Sequence, residues 1–321
     1  MKSVKLQNEK IPSIALGTWS WGTGGGAGGD AVFGNYLNEA DLSPVFDAAM
    51  KAGFNLWDTA AVYGMGASET ILGSFTKGRK DVLISTKFTP QIAADSDNAV
   101  EELLDKSLER LGVDHADIYW IHNPADVNKW THQLIPLMKS GKVKYVGVSN
   151  HNLEEIKTAS SILAEEGLKL SAVQNHYSLL YRSSEEAGII DYCKEHGIVF
   201  FSYMVLEQGA LTDKYSAQHP FPSSTRRGEA FNEEVLGKLE GLIHVMREIG
   251  SKYNASTAQI AIAWSIAKGT VPIIGVTKTT HIDDAIKAAE INLTAEDIFN
   301  LEAAAKDTGV EIRGAWEKPM H

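Results

Sequence analysis

The chain has 321 residues, of which 44% are hydrophobic and 8% aromatic, as in an ordinary globular protein with a large core. Its formal net charge of −11 at pH 7 argues against nucleic acid or an anionic membrane surface as a partner, because both would repel it. Cys193 is the one cysteine, which excludes an internal disulfide, and its helical surroundings indicate a packed structural thiol. Neither a signal peptide nor an apolar run of the ~18 residues that a membrane span needs is visible, so we expect a cytoplasmic protein.

Eight short apolar runs predict strands, and segments of helical period lie between them. The runs are Ile14–Gly17, Phe54–Trp57, Val82–Thr86, Ile118–Ile121, Val143–Val148, Ala172–Asn175, Ile198–Tyr203 and Val271–Gly275. Alternation of strand and helix implies a parallel sheet, and eight repeats imply a closed (β/α)8 TIM barrel. We expect a single barrel domain over residues 1–321, with an N-terminal hairpin, an inserted helix after strand seven, and a C-terminal helix plus tail.

Local signals also predict where helices begin and end. They are an N-cap serine before a proline with a glycine stop, a 3.6-residue apolar period closed by a glycine, and a capping box. These signals occur at Ser43, Pro44 and Gly53, from Asp97 to Gly112, and at Asn152 with Glu155. One inserted helix is predicted from Asn232 to Ile249, after a long irregular loop that begins at Met204.

Four polar residues follow or close neighbouring strands. Asp58 closes the second predicted strand and Tyr63 lies in the loop after it, while Lys87 and His122 close the third and fourth. Taken singly, these residues have plainer interpretations: a loop cap, a packed aromatic, a solvated charge and a hydrogen-bonded core histidine. Because barrel enzymes carry their active sites at the C-terminal ends of the strands, the joint placement favours a catalytic group.

Carbonyl reduction explains this combination of residues. Hydride addition leaves an alkoxide that must receive a proton, and Tyr63 is placed to donate it. A phenol has an ordinary pKa of about 10, and we expect the Lys87 ammonium to lower the pKa of Tyr63. Asp58 would pair with Lys87, and a neutral His122 would donate a hydrogen bond to the substrate oxygen.

The run Asp58–Glu69, DTAAVYGMGASE, resembles the signature of the aldo-keto reductase superfamily. Supporting motifs follow in the expected order over nearly the whole chain, at Ser85–Lys87, Tyr119–His122, Gly147–Asn150, Val173–Ser178, Tyr203, Gly209–Tyr215 and Pro272–Gly275. The resemblance implies an oxidoreductase that uses NADPH or NADH to reduce aldehydes and ketones. It also implies that Asp58, Tyr63, Lys87 and His122 are the catalytic tetrad.

The resemblance further implies a cofactor site along the C-terminal ends of the later strands. Polar side chains would bind the nicotinamide carboxamide, Tyr203 would stack on the ring, residues 204–211 would run beside the pyrophosphate, and Gly275–Ala285 would hold the adenosine. The implied cofactor contacts are Thr18, Trp19, Ser149, Asn150, Gln174, Tyr203, Met204, Leu206, Gly209, Leu211, Gly275, Val276, Thr277, Lys278 and His281.

The adenosine segment departs from the superfamily pattern. It contains no arginine for a 2′-phosphate, and His281 and Ala285 replace more usual residues, although Lys278 and the neighbouring threonines can still hold a phosphate. Glu207 stands where a small residue is usual, and a carboxylate there could favour the free ribose hydroxyl of NADH. We favour NADPH on superfamily grounds and leave NADH open.

Aromatic residues predict the substrate pocket. Trp19, Phe88, Trp120 and Trp316 are expected to line it, for a small-molecule carbonyl substrate that the sequence does not identify. No defensible metal-ligand spacing occurs, and the oligomeric state is open. A regulatory protein that binds the cofactor on the same scaffold with little turnover, like the β subunits of potassium channels, is the alternative. A barrel lyase or isomerase is a more remote one.

The glycine run Gly24–Gly29 formally satisfies the G-x-G-x-x-G pattern of dinucleotide-binding loops. Since five of its six residues are glycine, the match is nearly automatic. No helix is evident at its third glycine, so we interpret the run as a flexible loop after the first strand.

Overall fold

A computed structural model describes residues 2–320, whose strands form a hairpin and a closed barrel. The hairpin pairs Ser3–Leu6 (β1) with Glu9–Pro12 (β2) in antiparallel register. The parallel barrel strands are Ala15–Gly17 (β3), Leu56–Asp58 (β4), Leu83–Phe88 (β5), Ala116–Ile121 (β6), Val143–Ser149 (β7), Leu170–His176 (β8), Val199–Tyr203 (β9) and Val271–Gly275 (β10). Strand β10 closes the barrel against β3. The predicted TIM barrel is confirmed, and all eight predicted runs are barrel strands.

Helices lie between the strands and follow the last one. Their ranges are Gly29–Phe33 (α1), Glu39–Ala52 (α2), Ala67–Thr76 (α3), Ala99–Leu111 (α4), Val127–Ser140 (α5), Leu153–Glu165 (α6), Ser183–Glu186 (α7), Ile189–His196 (α8), Arg226–Ala230 (α9), Glu233–Lys238 (α10), Glu240–Tyr253 (α11), Thr257–Ala267 (α12), Thr279–Glu290 (α13) and Ala295–Asp307 (α14). None of the helices within residues 2–320 combines the length and the apolar character that crossing a membrane requires.

The predicted start of α2 is wrong, whereas its end at Gly53 is confirmed. The helix begins at Glu39, because the Asn38 side chain accepts hydrogen bonds from the Ala40 and Asp41 amides and so caps the first turn. Pro44 therefore lies inside the helix. The predicted capping box of α6 and the glycine end of α4 are both present.

The predicted helix from Asn232 to Ile249 is two helices. The helix is interrupted at Leu239, whose amide donates to the Leu236 carbonyl at 3.1 Å in a tightened three-residue turn. Both leucine side chains are buried in the core. The break therefore lets α10 and α11 each turn an apolar face inward, which a periodicity count over one window does not reveal.

Contrary to expectation, a helix does begin at Gly29, the third glycine of the G-x-G-x-x-G pattern, but it is only the five-residue α1. A Cβ atom on Gly29 would lie 2.4 Å from the Ser20 carbonyl oxygen. This glycine is thus required by close backbone packing. Strand β3 ends at Gly17, so the strand–turn–helix arrangement of a dinucleotide-binding fingerprint is not formed.

Apolar side chains fill much of the interior of the barrel. Residues at the N-terminal ends of the strands, such as Leu56 and Val271, cluster with Leu6 and Ile11 of the hairpin. The hairpin therefore closes that end of the barrel. Outside the barrel, burial raises the pKa of the Cys193 thiol to about 12, which agrees with a packed structural thiol. The open end, at the C-terminal edge of the strands, is the place for a site.

The N-terminus of α14 offers a test of the fold energetics. The buried Asp297 carboxylate accepts hydrogen bonds from Tyr253, Lys252 and the Thr294 amide, and these bonds lower its pKa to about 2 against the cost of burial. We predict that Asp297→Ala lowers the free energy of unfolding in urea by about 1–2 kcal/mol at pH 7. Because the folded pKa is depressed, the difference should be full above about pH 4 and shrink as the pH falls towards the folded value.

Glu296→Ala is the matched control, since Glu296 is the exposed neighbour in the same turn. Equal losses of stability in the two variants would contradict this assignment.

Candidate active site

A buried ion pair lies at the base of the open end of the barrel, which we call the mouth. The Lys87 Nζ atom lies 2.5 Å from Asp58 Oδ2 and donates a second hydrogen bond to the Thr59 carbonyl at 2.7 Å. The Lys87 side chain has no solvent exposure, and the Asp58 side chain is 5% exposed. Neighbouring strands β4 and β5 place the two residues side by side at their C-terminal ends. Lys87 Nζ also lies 5.1 Å from the centre of the Tyr63 ring.

Tyr63 and His122 complete the predicted group of four. Their rings meet edge to face with centres 5.9 Å apart. The His122 Nδ1 atom pairs with the Thr89 hydroxyl at 3.0 Å, so Nε2 is the ring nitrogen that a substrate oxygen would contact. Tyr63 follows β4 in a turn where Gly64 and Met65 both have positive φ. The structure thus brings all four residues together.

Asp58 is oriented from below by side chains inside the barrel. Its Oδ1 atom accepts hydrogen bonds from the Ser85 hydroxyl at 2.7 Å and from Gln174 Nε2 at 3.1 Å. The Trp120 indole N–H in turn donates to the Ser85 hydroxyl at 2.7 Å. Because every polar partner is itself held, Asp58 presents Oδ2 to Lys87 in a fixed direction.

The pKa of His122 is held well below its ordinary value, first by burial and then by the positive charge of Lys87. Burial also lowers the pKa of Lys87, and the attraction of Asp58 opposes this effect. Burial and the Asp58 carboxylate raise the pKa of Tyr63 well above its ordinary value. The expected lowering of the Tyr63 pKa by Lys87 is therefore wrong, because burial, and after it the charge of Asp58, raises this pKa.

Glu69 is a buried residue to which the sequence analysis assigned no role. One of its carboxylate oxygens accepts a hydrogen bond from the Thr86 hydroxyl at 2.5 Å, and the other is 2.7 Å from Arg110 Nε. This carboxylate ties α3 to β5 and α4 directly behind the Lys87 position. The sequence signal for this residue was its position in the run Asp58–Glu69, which also contains Tyr63.

Two of the four predicted pocket aromatics lie at the mouth. Trp19 stacks on Tyr63 with ring centres 5.9 Å apart, and Trp316 of the tail meets Trp19 edge-on at 5.6 Å. The structure does not bring Phe88 and Trp120 there: Phe88 is buried against Trp130 in the outer layer, and Trp120 is buried inside the barrel. The position of an aromatic residue near a strand end does not reveal whether its side chain points into the barrel, out of it or towards the mouth.

Amide and hydroxyl groups gather beside the tetrad at the ends of β7, β8 and β9. Asn150 Nδ2 donates to the His122 carbonyl at 2.9 Å and to the Ser149 hydroxyl at 3.2 Å. Its Oδ1 atom lies 2.5 Å from the Tyr203 hydroxyl oxygen. Thr18 lies on the other side, where its hydroxyl donates to the Asp58 carbonyl at 3.2 Å. Of the predicted carboxamide ligands, Gln174 is turned towards Asp58 in this state.

The turn after β9 is strained. Met204, Glu207 and Gln208 have left-handed φ angles of 60°, 47° and 54°, and Gly209 follows at 106°. Such strain in non-glycine residues is concentrated at functional segments. The Gln208 Oε1 atom is buried without a partner among the described residues. Leu206 lies within this turn and Leu211 follows it, with the Leu211 amide donating to the Leu206 carbonyl at 3.3 Å.

The Glu207 side chain does not face a place for ribose. It is fully buried, with Oε1 2.8 Å from His176 Nε2 and hydrogen-bonded by the Ser178 hydroxyl. The expected preference for a free ribose hydroxyl through this carboxylate is therefore not supported by its position.

The predicted adenosine segment forms the turn between β10 and α13. Gly275 is exposed, Lys278 stands at the N-cap of α13, and the Thr277 amide donates to His281 Nδ1 at 3.2 Å. Val276 is buried and its carbonyl accepts a hydrogen bond from Trp21 at 2.7 Å. Ala285 is also buried in the core, so it does not face this turn.

These groups fit a nicotinamide dinucleotide. Amides and a hydroxyl suit a carboxamide, the half-buried Tyr203 ring suits a flat heterocycle, and the exposed N-terminus of α13 with Lys278 suits an anion. The unpartnered Gln208 oxygen lies in the strained turn between these two ends.

Comparison with known proteins agrees with the geometry. The model of the aldo/keto reductase family matches residues 13–306. A chloroplastic pyridoxal reductase from Arabidopsis thaliana is 31% identical over 96% of this chain and 87% of its own length. An aldo-keto reductase described with NADP(+), yakc from Schizosaccharomyces pombe, is 27% identical over 98% of this chain and 94% of its own.

Solved structures share the fold. The glycerol dehydrogenase AKR11B4 from Gluconobacter oxydans superposes with a TM-score of 0.82, at 22% identity and 97% coverage of each chain. A thermostable aldo-keto reductase with the inhibitor epalrestat superposes with a TM-score of 0.76, at 24% identity, and covers 95% of this chain and 100% of its own. From the match over residues 13–306 and the relatives along its length, the chain belongs to the aldo/keto reductase family.

Proposed function

We propose that the protein reduces aldehydes or ketones to alcohols with a nicotinamide cofactor, and that Tyr63 is the proton donor. The observation that carries this proposal is the buried Lys87–Asp58 pair beneath the Tyr63 ring, with His122 at its edge. A bound dihydronicotinamide supplies the hydride. Ser149, Asn150 and Gln174 would bind its carboxamide, and Tyr203 would support its ring. The other contacts predicted from the sequence would bind the rest of the cofactor. Membership of the aldo/keto reductase family supports this class of reaction. We also propose that the protein is cytoplasmic.

The residues of the tetrad would act in sequence on the substrate oxygen. His122 Nε2 would donate a hydrogen bond to the carbonyl oxygen and orient it. As negative charge develops there, the Tyr63 hydroxyl would transfer its proton to the oxygen. The raised pKa keeps Tyr63 protonated until the alkoxide, a strong base, develops on the substrate oxygen and takes the proton. Lys87 would stabilise the phenolate that is left, in a site with little water.

The aromatic walls support a substrate class. Trp19 and Trp316 would contact a flat or apolar carbonyl compound next to Tyr63. A pyridoxal reductase among the relatives makes pyridoxal a reasonable member of a substrate panel, together with a nitrobenzaldehyde.

Tyr63→Phe should reduce kcat for nitrobenzaldehyde by about 10²–10⁴-fold, because the ring stays and only the donated proton is lost. Cofactor affinity, measured by quenching of tryptophan fluorescence, should remain within about twofold. Tyr36→Phe, at a tyrosine that is 76% exposed, is the control and should turn over normally. Unchanged turnover in Tyr63→Phe would exclude this mechanism, and tight cofactor binding without turnover in the wild type would favour a regulatory protein.

The rate of reduction should not titrate near the ordinary histidine pKa. A lowered pKa leaves His122 uncharged at every pH above that lowered value, and a raised pKa leaves Tyr63 protonated at every pH below it. We therefore expect kcat/KM to be flat from about pH 6 to about pH 8. The measurement is initial velocity at low substrate across that range, and an inflection near about pH 6.5 would contradict the assigned state of His122.

NADPH should bind more tightly than NADH. Lys278→Ala should weaken NADPH binding about tenfold and change NADH binding less than about twofold, because the ammonium would contact only the 2′-phosphate. Lys287→Ala, in the last turn of the same helix, is the control. Dissociation constants from fluorescence titration decide this, and tighter NADH binding by the wild type would reverse the assigned preference.

A further inference from the structure

A buried histidine between two carboxylates lies beside the mouth, and the proposed chemistry does not use it. His176 is the last residue of β8. Its Nε2 atom is 2.8 Å from Glu207 Oε1, and its Nδ1 atom is 3.0 Å from Glu317 Oε2. All three side chains are without solvent exposure. Three ionisable groups are thus packed together where charge is costly to bury.

The two carboxyl partners favour the protonated form of this histidine. A neutral imidazole has one N–H donor and one acceptor nitrogen, and the acceptor would face a carboxylate oxygen with no proton between them. Only the imidazolium can donate to both carboxylates. Burial alone would lower the pKa of His176, but Glu207 and Glu317 outweigh it and raise the pKa to about 10. His176 is therefore a buried cation near neutral pH.

The two carboxylates come from different parts of the chain. Glu207 belongs to the strained turn after β9, and Glu317 belongs to the C-terminal tail, residues 308–320. The ring of His176 is stacked between those of Tyr181 and Tyr203, with centres 4.4 and 5.5 Å away. The imidazolium therefore joins the cofactor turn to the tail from a fixed position in the barrel.

Glu317 carries this connection to the reacting residues. Its Oε1 atom lies 2.8 Å from the Tyr203 hydroxyl, which donates there or to Asn150. The adjacent Trp316 donates from its indole N–H to the Tyr203 oxygen at 3.3 Å. Trp316 also contacts Trp19, which stacks on Tyr63. Beyond it, Lys318 pairs with Glu155 and Met320 is buried, so the tail is held across the mouth.

We propose that His176 is a positioning residue whose ion pairs with Glu207 and Glu317 hold the C-terminal tail across the mouth and place Trp316 against the substrate. The kinetic part of this proposal rests on the proposed carbonyl reduction. Its physical basis is that release of Glu317 would leave the buried Nδ1–H of the imidazolium without its acceptor, which is unfavourable and therefore favours the seated tail.

Glu317→Gln tests the proposal because it keeps the shape of the side chain and removes its charge. We expect trypsin to cleave after the exposed Arg313 about tenfold faster, as followed by mass spectrometry of the truncated protein. The KM for nitrobenzaldehyde should rise about tenfold, with kcat changed less than about twofold, because the tetrad is not altered. Glu317→Asp, which keeps the charge, should recover part of both effects.

Asp307→Asn is the matched control, since Asp307 is an exposed carboxylate at the end of α14, directly before the tail. A cleavage rate or a KM in Glu317→Gln equal to that of the control would overturn the proposal. A parallel fall of kcat and melting temperature without a change in KM would also overturn it, because it would indicate a purely structural role. His176→Gln, which strands both carboxylates, should free the tail at least as much as Glu317→Gln.

Proteolysis separates this proposal from the proposed function, since it requires no turnover. If the wild type reduces no carbonyl compound, the proposed function fails, and the cleavage rates still decide whether the ion pairs hold the tail. If the wild type turns over normally and the variant matches the control, only the positioning role fails.

Discussion

The arrangement of the mouth depends on one buried ion pair, Lys87 with Asp58. Removing two charges from water costs several kcal/mol for each ion, which close contact and further hydrogen bonds must offset. Thr59, Ser85 and Gln174 supply those bonds. Consequently the positions of three strand ends are linked to one electrostatic requirement, and the Tyr63 ring lies over a cation that cannot move away from its counter-ion.

The residues that we propose for the cofactor and for the substrate meet around this pair. Asn150 contacts both the His122 backbone and the Tyr203 hydroxyl, while Trp19 contacts Tyr63 and the tail. A change at one wall of the mouth is therefore transmitted through packed, hydrogen-bonded groups to the opposite wall. Polar networks of this kind are favourable only when they are complete.

The sequence predicted the barrel, and it predicted that Asp58, Tyr63, Lys87 and His122 would meet at one end of it, because strand periodicity and strand-end polar residues are local signals. It failed at the ends of some helices and where distant contacts decide. The start of α2 depends on the Asn38 cap, and the break at Leu239 depends on two faces that pack inward. Phe88 points outward although its neighbour Lys87 lies in the site. The roles of His176 and Glu317 were not predictable, because 141 positions separate the two residues along the chain.

The hairpin of β1 and β2 determines where ligands can enter and leave the barrel. Since Leu6 and Ile11 plug the N-terminal end of a filled barrel, every ligand must come and go on the side where the strands end. Two compounds bound at once would therefore share a single open face, a restriction imposed by the hairpin at the opposite end of the barrel.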